Sequence, residues 1–175
     1  MLIAQETCDK LNTLIAKTFE MNAFADNVAY NIDFSQYPQT SEIYHEAFAH
    51  HFPQIADVLS SLMIKLNARP VRHPLPSYVD DYHGNLKKIF EDTATMCEFY
   101  RKEIIEAIEI AEDNSDFEVK IALEDFLLKF LPYRKQADIW ATEAIRYEGD
   151  YKSFDARIPV FTTFISNFHD NHQHN

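Results

Sequence analysis

The sequence predicts an all-α protein: a four-helix bundle with a long crossover between its second and third helices, plus a short C-terminal helix or tail. Three observations carry this. Only two glycines, Gly84 and Gly149, occur in 175 residues, whereas all-β domains draw heavily on glycine turns. Four long segments repeat apolar residues at intervals of three and four, the spacing of one helix face. The breaks between them run short, long, short, so the chain reads as hairpin, crossover, hairpin. With 46% hydrophobic residues, the length supports one domain with a real core. No repeat or second domain is visible. Residues 1–168 are expected to form the bundle and 169–175 a flexible, histidine-bearing tail.

The first helix is expected over about Gln5–Asp33. Its stripe is Leu11, Leu14, Thr18, Met21, Ala25, Val28 and Ile32. FSQYPQTS, Phe34–Ser41, breaks it; Pro38 ends a helix, and Thr40 or Ser41 supplies an N-cap for the next. The second helix is expected over about Ser41–Asn67, with stripe Tyr44, Phe48, His51, Ile55, Val58 and Leu62. Pro53 lies inside it, removes one backbone donor and predicts a kink. ARPVRHPLPSYVDDYHGN carries Pro70, Pro74 and Pro76 and reads as an extended connection long enough to span a bundle. The third helix is expected over about Leu86–Asp113, started by Asn85. Phe90, Ala94, Cys97, Ile104, Ile108 and Ala111 form its stripe, with Arg101 in the vacant position. EDNSD, Glu112–Asp116, is a turn. The fourth helix is expected over about Phe117–Tyr147, with Val119, Leu123, Phe126, Phe130, Ala137, Trp140 and Ala144 inward, a bend at Pro132 and a stop at Gly149. FTTFISNF then reads as a short helix or aromatic tail.

Charge and cysteine content narrow the function classes. A formal net charge of −12 opposes binding to a phosphate backbone, which demands a basic surface. It fits cation capture or plain solubility. Cys8 and Cys97 form no CxxC and read as buried, reduced thiols of a cytoplasmic protein. The N-terminal MLIAQETCDKL meets charge too early for a signal peptide, and no apolar run reaches the roughly 18 residues of a membrane helix. Two glycines leave no phosphate-binding loop. His169, His172 and His174 near Asp170 are a polar end with weak affinity for Ni²⁺, Cu²⁺ or Zn²⁺ as the alternative.

The densest chemistry lies in SEIYHEAFAHHFPQIAD, Ser41–Asp57, with three histidines, two glutamates and an aspartate. Glu46 and His50, four apart, share a helix face, and His45 lies beside them. An antiparallel hairpin turning near Gln36–Tyr37 sets residues level when their numbers sum to about 73, at 1.5 Å rise per residue. Asp26 and Tyr30 therefore come near Glu42–His50. Glu42, His45, Glu46, His50 and Asp57, with Asp26 across the hairpin, are the candidate metal ligands, for iron or another divalent metal. A solvated or subunit-contacting helix face explains the same residues. His51 falls on the apolar stripe and is expected in the core, bonded to a backbone carbonyl.

Over residues 11–147 the chain resembles the Dps-like branch of the ferritin-like superfamily. LNTLIAKTFEMNAFADNVAYNI resembles that family's first helix, whose N-x-H-W-N motif corresponds to Asn27-Val28-Ala29-Tyr30-Asn31 here. YHEAFAHHFPQIADVLSSLMIKLNARP resembles the metal-bearing second helix, and EDNSDFEV and KQADIWATEA resemble the fourth. The family's second-helix ligands, histidine, aspartate, aspartate and glutamate, fall on Glu42, Glu46, Asp57 and Ser61, and its first-helix histidine on Ala29. The resemblance implies a ferritin-like bundle in a twelve-subunit homo-oligomer that oxidises Fe²⁺ with peroxide or oxygen under oxidative stress. Ala29 and Ser61 imply an altered, weakened ferroxidase-type site, with a non-catalytic scaffold as the alternative. Lysine-rich extensions that bind DNA in the family have no counterpart here, so no DNA partner is expected.

Glu42-Ile43-Tyr44-His45 is also an ExxH, the pairing of di-iron carboxylate bundles, with Glu20 and Glu98 as further candidate ligands. The hairpin sum opposes this. Glu20 comes level with Pro53 and Glu42 with Asn31, an offset of about 16 Å at 1.5 Å per residue.

Overall fold

The structure, a computed structural model, describes residues 1–74 and 80–163. Its helices are α1 (Gln5–Phe34), α2 (Pro38–Ala47), α3 (Phe52–Lys65), α4 (Leu86–Asp113), α5 (Phe117–Arg146) and α6 (Tyr151–Arg157). Short 3₁₀ turns occupy Ala49–His51 and Ile158–Phe161. The described residues contain no strand, and no helix among them is long and apolar enough to cross a membrane. The all-α expectation holds. The histidine-bearing tail and most of FTTFISNF lie outside the described residues; the short terminal helix comes earlier, at Tyr151.

α1 packs against α2 and α3 on one side and α4 on the other, and α4 packs on α5. Leu2 N–H donates to Leu66 O (2.9 Å), so α3 ends beside the start of α1. At the opposite end Gly84 abuts Ser35, and α4 starts there. The two described ends of the connection thus lie at opposite ends of α1, which makes α4 parallel to α2–α3. Two asparagines of α1 hold the connection at either end. Asn12 accepts from Val71 N–H (2.7 Å) and donates to Arg69 O (3.2 Å); Asn31 donates to Asp80 O (3.0 Å).

The predicted stripes of the first and fourth helices are all buried. In α4, Tyr100 occupies the core where Arg101 was expected, and Arg101 lies outside on Glu98 (3.1 Å). Tyr100 is accommodated because its hydroxyl meets Thr18 Oγ1 at 2.5 Å. α5 continues through Pro132.

The second helix differs most. Pro38 begins α2 rather than ending α1, and neither Thr40 nor Ser41 caps it. Pro is suited to a first-turn position, where its missing N–H has no helical acceptor to lose. The expected kink at Pro53 is a full interruption. α2 stops at Ala47, and Phe48 departs from helical geometry (φ −125°, ψ −65°). A 3₁₀ turn follows, and α3 starts with Pro53 in its first turn. Proline cannot donate to Ala49's carbonyl, so the chain restarts the helix where no such donor is required. The restart changes the phase: Leu59 and Met63 are buried, while Val58 and Leu62 are half-buried.

Two helices take their N-terminal capping from afar. Neither Ala4 before α1 nor Tyr37 before α2 supplies a side-chain cap. Asp116 Oδ2 accepts from Ala4 N–H (3.1 Å) and the Thr7 hydroxyl (2.5 Å). Asp155 Oδ1 accepts from Thr40 N–H (2.7 Å) in the first turn of α2. Both carboxylates are buried and satisfy donors a helix start leaves open.

Candidate functional site

The interruption between α2 and α3 assembles the site. On an uninterrupted helix His45 and His50, five residues apart, would point about 140° from each other, at 3.6 residues per turn. Here their ring centroids are 4.0 Å apart. The turn is held from beneath by aromatic packing: Phe48 meets Tyr44, Phe52 and Trp140 at centroid distances of 5.2, 5.1 and 6.1 Å. These rings are buried, and on the opposite side of the turn Glu46 and His50 are exposed and His45 half-buried.

His45, Glu46 and His50 each offer a ligand atom, and these atoms all lie within 4.8 Å of one another. His50 Nδ1 is 3.3 Å from Glu46 Oε2. Across the hairpin, Asp26 Oδ1 on α1 is 4.0 Å from His45 Nε2, and Tyr30 meets the His45 ring edge-on at 6.4 Å. The 4.0 Å separation is too long for a hydrogen bond. Burial raises the Asp26 carboxyl above its ordinary value, while the neighbouring His45 and His50 pull it down. A carboxylate so placed gains from an adjacent cation.

The donor set fits a divalent transition ion. Imidazole suits zinc, copper, nickel and iron, and carboxylate tolerates all of them. Bonds of about 2.0–2.2 Å to a tetrahedral ion set its ligand atoms roughly 3.4 Å apart. The ligand atoms of His45, Glu46 and His50 stand up to 4.8 Å apart, wider than that spacing, and none of the three residues is fully buried.

The sequence candidates separate into two sets. Asp26, His45, Glu46 and His50 come together, as the hairpin sum expects. Glu42 is exposed one helical turn before His45 and is outside the group. Asp57 is exposed on α3, in a groove with Phe19 and Arg72. Ser61 lines a different groove, against α5. Ala29 is buried, and its carbonyl accepts from the Ser41 hydroxyl (3.2 Å). Glu20 pairs with Lys17 (3.1 Å), and Glu98 with Arg101 and Arg134 (3.1 and 2.9 Å). His51 is buried as expected, but its Nδ1 meets the Tyr133 hydroxyl (2.9 Å). Sequence reasoning missed that partner and the ring contact between His45 and His50. Cys8 and Cys97 are free and buried.

No family model matches this chain, and no curated protein matches it.

Proposed function

We propose that the protein binds iron or a related divalent metal at the junction of α1 with the α2–α3 interruption, within a ferritin-like, Dps-like bundle that self-associates in the cytoplasm. One observation carries the metal reading: ligand atoms of His45, Glu46 and His50 converge within 4.8 Å, with Asp26 4.0 Å from His45. The connectivity supports the ferritin-like reading, because two hairpins whose connection starts and finishes at opposite ends of the bundle are the arrangement of ferritin-like bundles. Free, buried thiols accord with a reducing compartment.

The chemistry proposed is binding with slow or absent iron oxidation. The resemblance puts a histidine at Ala29 and a carboxylate at Ser61, and neither replacement ligates metal as those groups do. Loss of supporting groups alone costs about ten- to a hundredfold in metal affinity or activity; losing direct ligands costs at least as much. The pairing of Glu20 and Glu98 with basic residues favours a second reading, a ferritin-fold scaffold without a metal centre.

Metal titration separates the two. The background carries His169→Asn, His172→Asn and His174→Asn, and is purified without a histidine affinity tag. It should bind Fe²⁺ (without oxygen) or Zn²⁺ with a defined stoichiometry. His45→Ala with His50→Ala should abolish that binding, as should Glu46→Ala with His50→Ala. Affinity should fall on acidification, because binding a metal ion competes with protons for the same ligand atoms. Unchanged stoichiometry in both double variants places binding elsewhere; no binding by the background leaves the scaffold.

A further inference from the structure

We infer that the outer face of α5 is a self-association surface, on which a second copy of this chain docks its own α5 antiparallel. The inference rests on α5 alone and not on the metal reading.

The outermost positions of α5 alternate by four and three: 117, 121, 124, 128, 131, 135, 138, 142 and 145. That is the 3.5-residue period of a helix seam that packs on another helix at about 20°. The inward stripe of α5 is separate and already filled by α4 and the core. Five of the outer positions are large and apolar: Phe117, Ile121, Leu128, Leu131 and Ile145, each at least half exposed (Leu128 68%, Ile121 66%). Scattered exposed leucines are ordinary; a heptad-spaced row along one helix is a seam without its partner.

The charges on the seam select the partner and the register. Glu124 and Lys135 stand on either side of Leu128 and Leu131. In an antiparallel pair whose facing residues sum to 259, Leu128 meets Leu131 of the second copy. Glu124 then meets Lys135 of the second copy, and the two-fold axis repeats both contacts. Shifting the register by one heptad either way sets Glu124 against Leu128 or against Thr142. Lys135 has no ion pair within the chain among the described residues, and Glu124 reaches only Lys120, at 3.9 Å. The seam thus supplies its own complement, which an unrelated partner would have to match. At the flanks Ile121 faces Asp138 and Phe117 faces Thr142 of the second copy, where Asp138 and Thr142 are open to solvent, and Ile145 extends past the partner's α5, so the two leucines and the two ion pairs at the centre hold the register.

Sedimentation equilibrium at micromolar concentration tests this, at about 0.15 M salt to screen repulsion between acidic chains. The unaltered chain should sediment as a dimer or an even multiple of one. Leu128→Glu with Leu131→Glu should fall to half that mass or less with unchanged far-UV circular dichroism, since both side chains are exposed. Glu124→Lys alone and Lys135→Glu alone should each weaken association roughly tenfold, two symmetry-related attractions having become repulsions. The double exchange, Glu124→Lys with Lys135→Glu, should restore it. A monomeric unaltered chain, an unchanged mass in the leucine variant, or a double exchange no better than either single one would overturn the inference.

Discussion

The partial burial that disfavours a charge on Asp26 in the metal-free fold is the same property that would favour a cation beside it. Burial raises its carboxyl pKa in the folded chain, against the pull of His45 and His50. A group raised on folding contributes stability below its unfolded value, about 3.9 for aspartate. That contribution disappears as pH rises through the folded value, where the half-buried site must hold a charge. Asp26→Asn removes the charge. It should raise the Tm of the metal-free protein at pH 7, and the gain should vanish near pH 3. The same substitution should reduce the Tm increase that Zn²⁺ produces. A lower metal-free Tm at pH 7 would show that the carboxylate is instead a net stabiliser of α1 against α2. Asp26 was legible as a candidate because hairpin pairing depends only on residue numbers and one turn. The contact of His45 with His50 was not, because spacing on a regular helix places those rings on different sides.

Helix ends show how two glycines suffice for a helical protein. Left-handed residues end α1, α3 and α4 at Gln36 (φ 65°), Asn67 (φ 53°) and Ser115 (φ 58°). Each closes the same pair of bonds: Tyr37 N–H to Ile32 O and Gln36 N–H to Asp33 O after α1, with equivalents at Ala68 and Asp116. This is the Schellman arrangement, which glycine usually serves. A side chain in that conformation costs about 1–2 kcal/mol. Gln36→Gly and Ser115→Gly should each therefore stabilise the protein by about 1 kcal/mol in urea unfolding, less the entropy that glycine adds to the unfolded chain. Destabilisation by either would mean the side chain carries a contact outweighing its strain. The stops after Phe34, Asp113 and Arg146 were legible to within one residue from polar and glycine breaks. The stop after Ala47 was not: His50-His51-Phe52-Pro53 keeps the apolar period, and only proline's missing donor distinguishes a kink from an interruption.

At the scale of the whole molecule, the buried stripes and the long proline-bearing connection were enough to read two hairpins and a crossover. What they could not give is what crosses between the hairpins. The largest buried side chains, Trp140, Tyr44, Tyr133 and Phe48 among them, meet across the middle of the core, where Tyr44 and Trp140 centroids lie 5.8 Å apart. Trp140 Nε1 also donates to Thr162 Oγ1 (3.1 Å), tying α5 to the segment after α6. Trp140→Phe should cost about 1–3 kcal/mol, combining lost volume in the core with loss of the indole bond to the Thr162 hydroxyl. A loss confined to one hairpin, read as two separate thermal transitions, would contradict a single shared core.

The remote caps make the order of folding measurable. Asp116 stands at the N-cap position of α5 yet gives its carboxylate to the start of α1, and Asp155 serves α2 in the same way. Neither cap exists until the second half of the chain has closed on the first. Contacts between residues so far apart in sequence form late, because loop closure precedes any return from them. Asp116→Asn should therefore leave the refolding rate nearly unchanged and speed unfolding, roughly fivefold for each kcal/mol lost. An unchanged unfolding rate with slower refolding would place the cap inside the folding nucleus instead. The two carboxylates act as latches on a finished bundle: they govern how long the protein stays folded more than how fast it folds.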